Sequence, residues 1–127
     1  LSDIIQHLPG AFLIYKADPE NDQILFANQE LVTYAGCKNL DEFMQYSKHS
    51  FRNLIRSDEQ EAVEKSIWQQ IQSQADGTND FVQFHFVKKD GSTHPVLDHG
   101  RIVESNYYGN VFYVLIMDCQ LLDEHYD

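Results

Sequence analysis

Cysteine is scarce. Cys37 and Cys119 are the only two in 127 residues, too few for the disulfide framework that small secreted domains rely on. A reducing, cytoplasmic setting is therefore expected. Long apolar runs are also missing: the longest, residues 111–117, has the length of a strand and falls far short of the ~20 residues of a membrane-crossing helix. Basic residues are few, with nine Lys and Arg against twenty Asp and Glu and a formal charge of −11. That field repels a polyanion, because nucleic-acid affinity comes largely from neutralised phosphates, and it repels an anionic membrane surface for the same reason. Neither nucleic acid nor direct membrane contact is expected. The chain has no repeats, no low-complexity stretch and no internal Pro- or Gly-rich linker. It opens on Leu1 with no basic-then-apolar leader, so the expectation is a piece of something longer.

What remains suits one compact domain: 43% of the residues are hydrophobic and 13% aromatic, enough for a single core at this length. Leu1, Ile4, Ile5 and Leu8 recur at helical spacing before Pro9-Gly10, which predicts an amphipathic cap helix over residues 1–9. Two short strands are predicted next, around the turn cluster Asp18-Pro19-Glu20-Asn21-Asp22. Asn28 is the expected cap of one short helix, which Gly36 ends, and Asn39 or Asp41 is expected to begin another. Ser57-Asp58-Glu59-Gln60 has the form of a capping box, and Val63, Ile67 and Ile71 follow every four residues, which predicts a longer helix over 57–74. Three strands close the chain, the first two joined at Lys89-Asp90-Gly91-Ser92. Pro95 fits poorly inside a strand because it lacks a ladder donor. The last strand is apolar on both faces, so it is expected at the centre of the sheet and covered on both sides. The order strand, strand, helices, three strands predicts an α+β fold with a five-stranded antiparallel sheet. The short helices and the one longer helix should lie on one face, with the N-terminal amphipathic helix outside.

Several landmarks in this order resemble the PAS family. They are Ala27-Asn28 with Leu31 and Gly36; Leu40-Asp41-Glu42-Phe43; Ile55-Arg56-Ser57-Asp58 with Val63; Lys89-Asp90-Gly91; and Asp118 at the end of the last strand. Ser57 stands where the family commonly has Pro, and only the Asp remains of the family's Asp-Ile-Thr signal-transfer motif. The segments Glu64-Lys65-Ser66-Ile67-Trp68 and Tyr108-Gly109-Asn110-Val111-Phe112-Tyr113-Val114 are similar to PAS segments placed ahead of GGDEF and EAL domains in bacterial cyclic-di-GMP proteins. The resemblance implies a PAS domain over 10–119 and the start of a linker to an output domain over 120–127. It also implies a sensory role and an output of cyclic-di-GMP synthesis or breakdown, with a histidine kinase as the other parent.

A PAS pocket lies between the inner sheet face and the long helix, which makes Phe51, Ile55, Ile67, Trp68, Phe84, Phe86, Val114 and Ile116 the ligand-pocket candidates. Each can equally be core, and Trp68 can equally be a packing or dimer contact. Asp118 is the signal-transfer candidate. Ile4, Ile5, Leu8, Tyr113 and Leu115 are candidates for a homodimer contact. Flavin is not expected, because Cys37 sits in Gly36-Cys37-Lys38-Asn39 and lacks the Asn-Cys-Arg-Phe-Leu-Gln-like run of flavin-binding relatives. Heme is not expected either, because the long helix has no histidine. His94 and Asp98 share one strand face while His99 points away, which argues against a metal and for a solvated polar face. No nucleophile–base pair, phosphate loop or HExxH occurs, so no catalyst is expected; an enzyme would need a buried acid or His with a shifted pKa. The rival to a ligand sensor is a ligand-free dimerisation scaffold, towards which the large inner-face residues Phe51, Phe84 and Phe86 lean. A void of a few hundred Å³ with converging polar groups would separate the two.

Overall fold

The computed structural model describes residues 10–73 and 78–120. Among these residues the order is β1 (Ala11–Lys16), β2 (Ile24–Ala27), α1 (Gln29–Tyr34), α2 (Leu40–Ser47), two 3₁₀ turns (Phe51–Leu54 and Ser57–Glu59), α3 (Gln60–Ser73), β3 (Asn79–Val87), β4 (Thr93–Ser105) and β5 (Gly109–Asp118). The strands form one antiparallel sheet in the order β2-β1-β5-β4-β3. The expected α+β fold is thus present, with β5 at the centre as its two apolar faces required. The cap helix expected over 1–9, with Ile4, Ile5 and Leu8, lies outside the described residues, as do residues 121–127 of the expected linker. No helix among the described residues is long and apolar enough to cross a membrane.

Local chemistry explains most element ends. Asn28 caps α1, its Oδ1 accepting from Leu31 N–H, and Asn39 caps α2 by accepting from Glu42 N–H. Gly36, at φ +86, ends the first helix in the left-handed region that glycine adopts without strain. The β3–β4 turn places Gly91 at φ +88, with Ser92 N–H held by Asp90 Oδ1 at 2.9 Å. Pro95 stands one residue before β4 begins to pair with β5 at Val96↔Asp118, so β5 asks no rung of it.

The expected helix over 57–74 begins differently. Residues Ser57–Glu59 form a 3₁₀ turn with no side-chain cap bond, and the α-helix starts only at Gln60. The acids that resembled a capping box have other partners. Glu59 Oε1 accepts from the His85 backbone N–H at 2.8 Å, and its carboxylate faces His85 Nδ1. This ties the helix entry to β3. Gln60 instead donates back to the carbonyls of Arg52 and Ile55.

The inner face of the sheet packs under the helices. Leu13, Tyr15, Phe84, Phe86, Val96, Phe112, Val114 and Ile116 meet Leu31, Phe43, Phe51, Leu54, Ile55, Val63 and Ile67 in one buried cluster. On the outer face Phe81, Tyr113 and Leu115 remain 55%, 37% and 36% exposed.

Candidate functional site on the inner face of the sheet

The pairing register decides which side chains face the helices. Asp80 pairs with Gly100 and Val82 with Asp98 across β3–β4, while Asp98 pairs with Ile116 and Gly100 with Val114 across β4–β5. Alternation along each strand then puts Asp80, Val82, Phe84 and Phe86 on the same face as Val96, Asp98 and Gly100 and as Phe112, Val114 and Ile116. All eight pocket candidates belong to this region: Phe51, Ile55, Ile67, Phe84, Phe86, Val114 and Ile116 are buried, and Trp68 packs partly buried against them. Tyr15 joins them, stacked on Phe51 with ring centroids 4.2 Å apart and tilted against Phe112 at 5.1 Å. Trp68 meets Phe112 edge-on at 5.6 Å.

These rings fill the space rather than surround it. The cleft that reaches them, lined by Tyr15, Phe51, Glu64, Ile67 and Trp68 among others, holds about 20 Å³, room for a single water-sized group. A drug-sized ligand takes several hundred Å³.

Asp98 corrects the expectation of a solvated polar face. It is 1% exposed, as is Asp80, and neither oxygen of Asp98 nor Oδ1 of Asp80 has a hydrogen-bond partner among the described residues. His94 does share the face of Asp98, as the alternation predicts, but it lies half-buried beside Tyr34. His99 points to the outer face, stacked on Phe81 at 4.3 Å. No group of three or more His, Cys, Asp or Glu among the described residues can hold a metal ion. Burial pushes Asp80 up to about 7, and burial with the neighbouring Asp80 charge pushes Asp98 well above the carboxylate range. Burial and the fields of Asp98 and Asp80 raise Tyr15 as well. Gly100 makes room for the pair: a Cβ there would lie 2.5 Å from Asp80 Oδ2.

Sequence reasoning missed Asp80. β3 begins at Asn79, which makes Asp80 the even-numbered, inward-facing position before Val82, Phe84 and Phe86. For Asp98 the signal was its parity with Val96, Gly100 and Ile102.

At the exit of the sheet, Tyr34 Oη donates to Asp118 Oδ2 at 2.7 Å, and Asp118 Oδ1 accepts from Gln120 N–H at 2.8 Å. Tyr34 also packs edge-on to the buried Phe86, at 5.3 Å. The signal-transfer candidate is thus connected to α1 and, through one ring, to the inner face.

The described residues form an α+β domain, an open five-stranded antiparallel sheet that holds its helices on one face with a core between them. The family model described as "PAS fold" matches residues 24–116, and the chain belongs to the PAS family. Solved structures agree on the fold. The PAS domain of an HTR-like protein from Haloarcula marismortui matches with a TM-score of 0.66 at 16% identity, covering 91% of this chain and 85% of that one. The PAS domain of a two-component sensor histidine kinase matches at 0.65 and 13% identity, covering 91% and 90%. A Rhodobacter sphaeroides LOV protein matches at 0.65 and 12% identity, covering 91% and 62%. No curated protein matches the chain in sequence. PAS domains are sensory and non-catalytic, and this chain is not itself an enzyme. The buried acids that a catalyst would require therefore call for another use.

Proposed function

We propose that this domain is a cytoplasmic sensor that receives a small ligand or a partner's contacts on its inner face. It passes the change through β5 and Asp118 to a C-terminal output domain. The observation that carries this reading is the Tyr34–Asp118 hydrogen bond at 2.7 Å. It makes the exit of the central strand depend on α1 and on the packing of Phe86. A ligand shifts such an equilibrium only by its differential affinity for the two packings. The output proposed is cyclic-di-GMP synthesis or breakdown, which rests on the resemblance of residues 64–68 and 108–114; a histidine kinase is the alternative parent.

A second reading has its own support. The small volume of the cleft beside Tyr15, about 20 Å³, and the exposed Phe81, Tyr113 and Leu115 favour a scaffold that pairs two copies through the outer sheet face. Native mass spectrometry of the purified protein, with the denatured mass alongside, separates the two readings. Extra mass that disappears on denaturation supports the sensor, whereas a bare mass of twice the monomer supports the scaffold. Exchange of the Gln120 amide in wild type and Tyr34→Phe then tests the route, and equal exchange in both refutes it.

A further inference from the structure

We propose that Asp80 and Asp98 form a proton-operated latch on the inner face. With a proton on the pair, α3 lies closed on β3; loss of that proton frees the C-terminal end of α3. This gives the sensor reading a stimulus, the proton, and rests on that reading.

Register and burial define the pair. Asp80 stands opposite Gly100 and Val82 opposite Asp98, so the two acids are diagonal neighbours on one face. The Asp80 carboxyl leans into the space that Gly100 leaves open, since a Cβ there would stand 2.5 Å from its Oδ2. Both acids are 1% exposed, and three of their four oxygens have no hydrogen-bond partner among the described residues. One buried, unpartnered carboxylate is costly, and two side by side cost more because each charge opposes the other. The closed packing therefore requires at least one proton. Ionisation of both acids demands water, and water reaches them only if a wall moves.

Little else faces the pair that could neutralise it. Tyr15 on β1 has both carboxylates in its field. From α3 come Val63 and Ile67, and from β5 Val114 and Ile116, none of them ionisable. Glu64 of α3 lies at the cleft beside Tyr15, and His94, four residues before Asp98 on β4, sits beside Tyr34. The one charge acting on Asp98 is that of Asp80, and no cation among the described residues offsets it.

The wall that can move is the end of α3. At its entry α3 is tied to β3 by Glu59, which accepts from His85 N–H. At its far end the tie is Gln70, whose Nε2 donates to the Phe81 carbonyl and whose Oε1 accepts from Phe81 N–H, both at 2.9 Å. Phe81 directly follows Asp80 and is 55% exposed, so this tie opens with little loss of buried apolar surface.

The test follows the wild type by NMR between about pH 5 and about pH 8. The side-chain carboxyl carbons of Asp80 and Asp98 report the proton, and at least one is expected to keep it at about pH 5. Protection of the Phe81 amide, corrected for intrinsic exchange, is expected to fall about tenfold or more over that range. The Phe12 amide, which Asn28 holds, should fall less. Asp80→Asn and Asp98→Asn should each shrink the fall at Phe81, and either variant carries this arm if the other does not fold. Ionisation of both acids already at about pH 5 overturns the latch, as does titration of the pair with Phe81 protection unchanged. An equal fall at Phe12 means uniform destabilisation and also overturns it, as does an undiminished fall in the variants. The sensor reading fails separately: if Phe81 responds to pH and the Gln120 amide does not, the latch stands and the route to the exit falls.

Discussion

Two buried polar positions lie in the same domain and are treated in opposite ways. At the junction of β1 and α1, Asn28 is fully buried and fully used. Its Oδ1 accepts from Phe12 N–H at 3.0 Å and Leu31 N–H at 3.1 Å, and its Nδ2 donates to the Gly10 carbonyl at 2.8 Å. Between β3 and β4, Asp98 is equally buried and uses neither oxygen. Asn28 stitches three backbone groups together and so serves the fold. Asp98 satisfies nothing among the described residues and is held there at a cost, which is the pattern of a group kept for a function.

This contrast can be broken most forcefully at Asn28. Asn28→Ala leaves two buried N–H groups and a carbonyl without partners and removes the cap of α1, so a loss of about 3–5 kcal/mol is expected. Urea denaturation should show it as a lower midpoint with an unchanged m-value.

The opposite sign is expected at the acids. The folded state holds Asp80 up at about 7 against 3.8 for the free group, and Asp98 shifts in the same direction. The folded protein therefore binds these protons more tightly than the unfolded chain does. Stability from this source is full below about pH 4 and falls as pH rises towards 7, levelling off above the folded value for Asp80. A decline of about 2–4 kcal/mol between pH 5 and pH 8 is expected in denaturation series. Asp80→Asn should flatten that decline, and Asp98→Asn should be more stable than wild type at pH 8. A wild-type curve flat over this range would remove the contrast with Asn28.

Gly100 sharpens the comparison further. Gly100→Ala should cost about 2 kcal/mol by crowding the Asp80 carboxyl. In an Asp80→Ala background the same change should cost little, and a double-mutant cycle reads the coupling. The smallest effect is expected at the exit: Tyr34→Phe should cost about 1 kcal/mol, with faster amide exchange at Gln120 as the more telling readout.

Much of this was legible in the chain. Asn28, Asn39, Gly36 and Gly91 act within a few residues of themselves, so their roles as caps and turns follow from short-range geometry. The two-faced apolarity of residues 111–117 placed β5 at the centre, but the cover expected on both sides is found on one, since Tyr113 and Leu115 on the outer face stay 37% and 36% exposed. Local pattern failed where a partner came from far away. Ser57-Asp58-Glu59-Gln60 has the spacing of a capping box, yet the Gln60 side chain donates to the carbonyls of Arg52 and Ile55 and Glu59 pairs with His85, 26 residues on, while the α-helix starts only at Gln60. Asp98 read as surface because an Asp on a strand usually is, and only the depth of β4 between β3 and β5 buries it.

The sequence by itself determined the class of fold, the order of the elements and the face on which each strand residue stands, since all of these follow from periodicity and turn chemistry along the chain. Tertiary structure alone decided that the cleft beside Tyr15 and Phe51 would hold about 20 Å³, that Tyr34 would reach Asp118, and that Asp80 and Asp98 would be buried on one face with three oxygens unpartnered among the described residues. These depend on register and packing between segments far apart in sequence, where the free energy of one group is set by neighbours that no local pattern names.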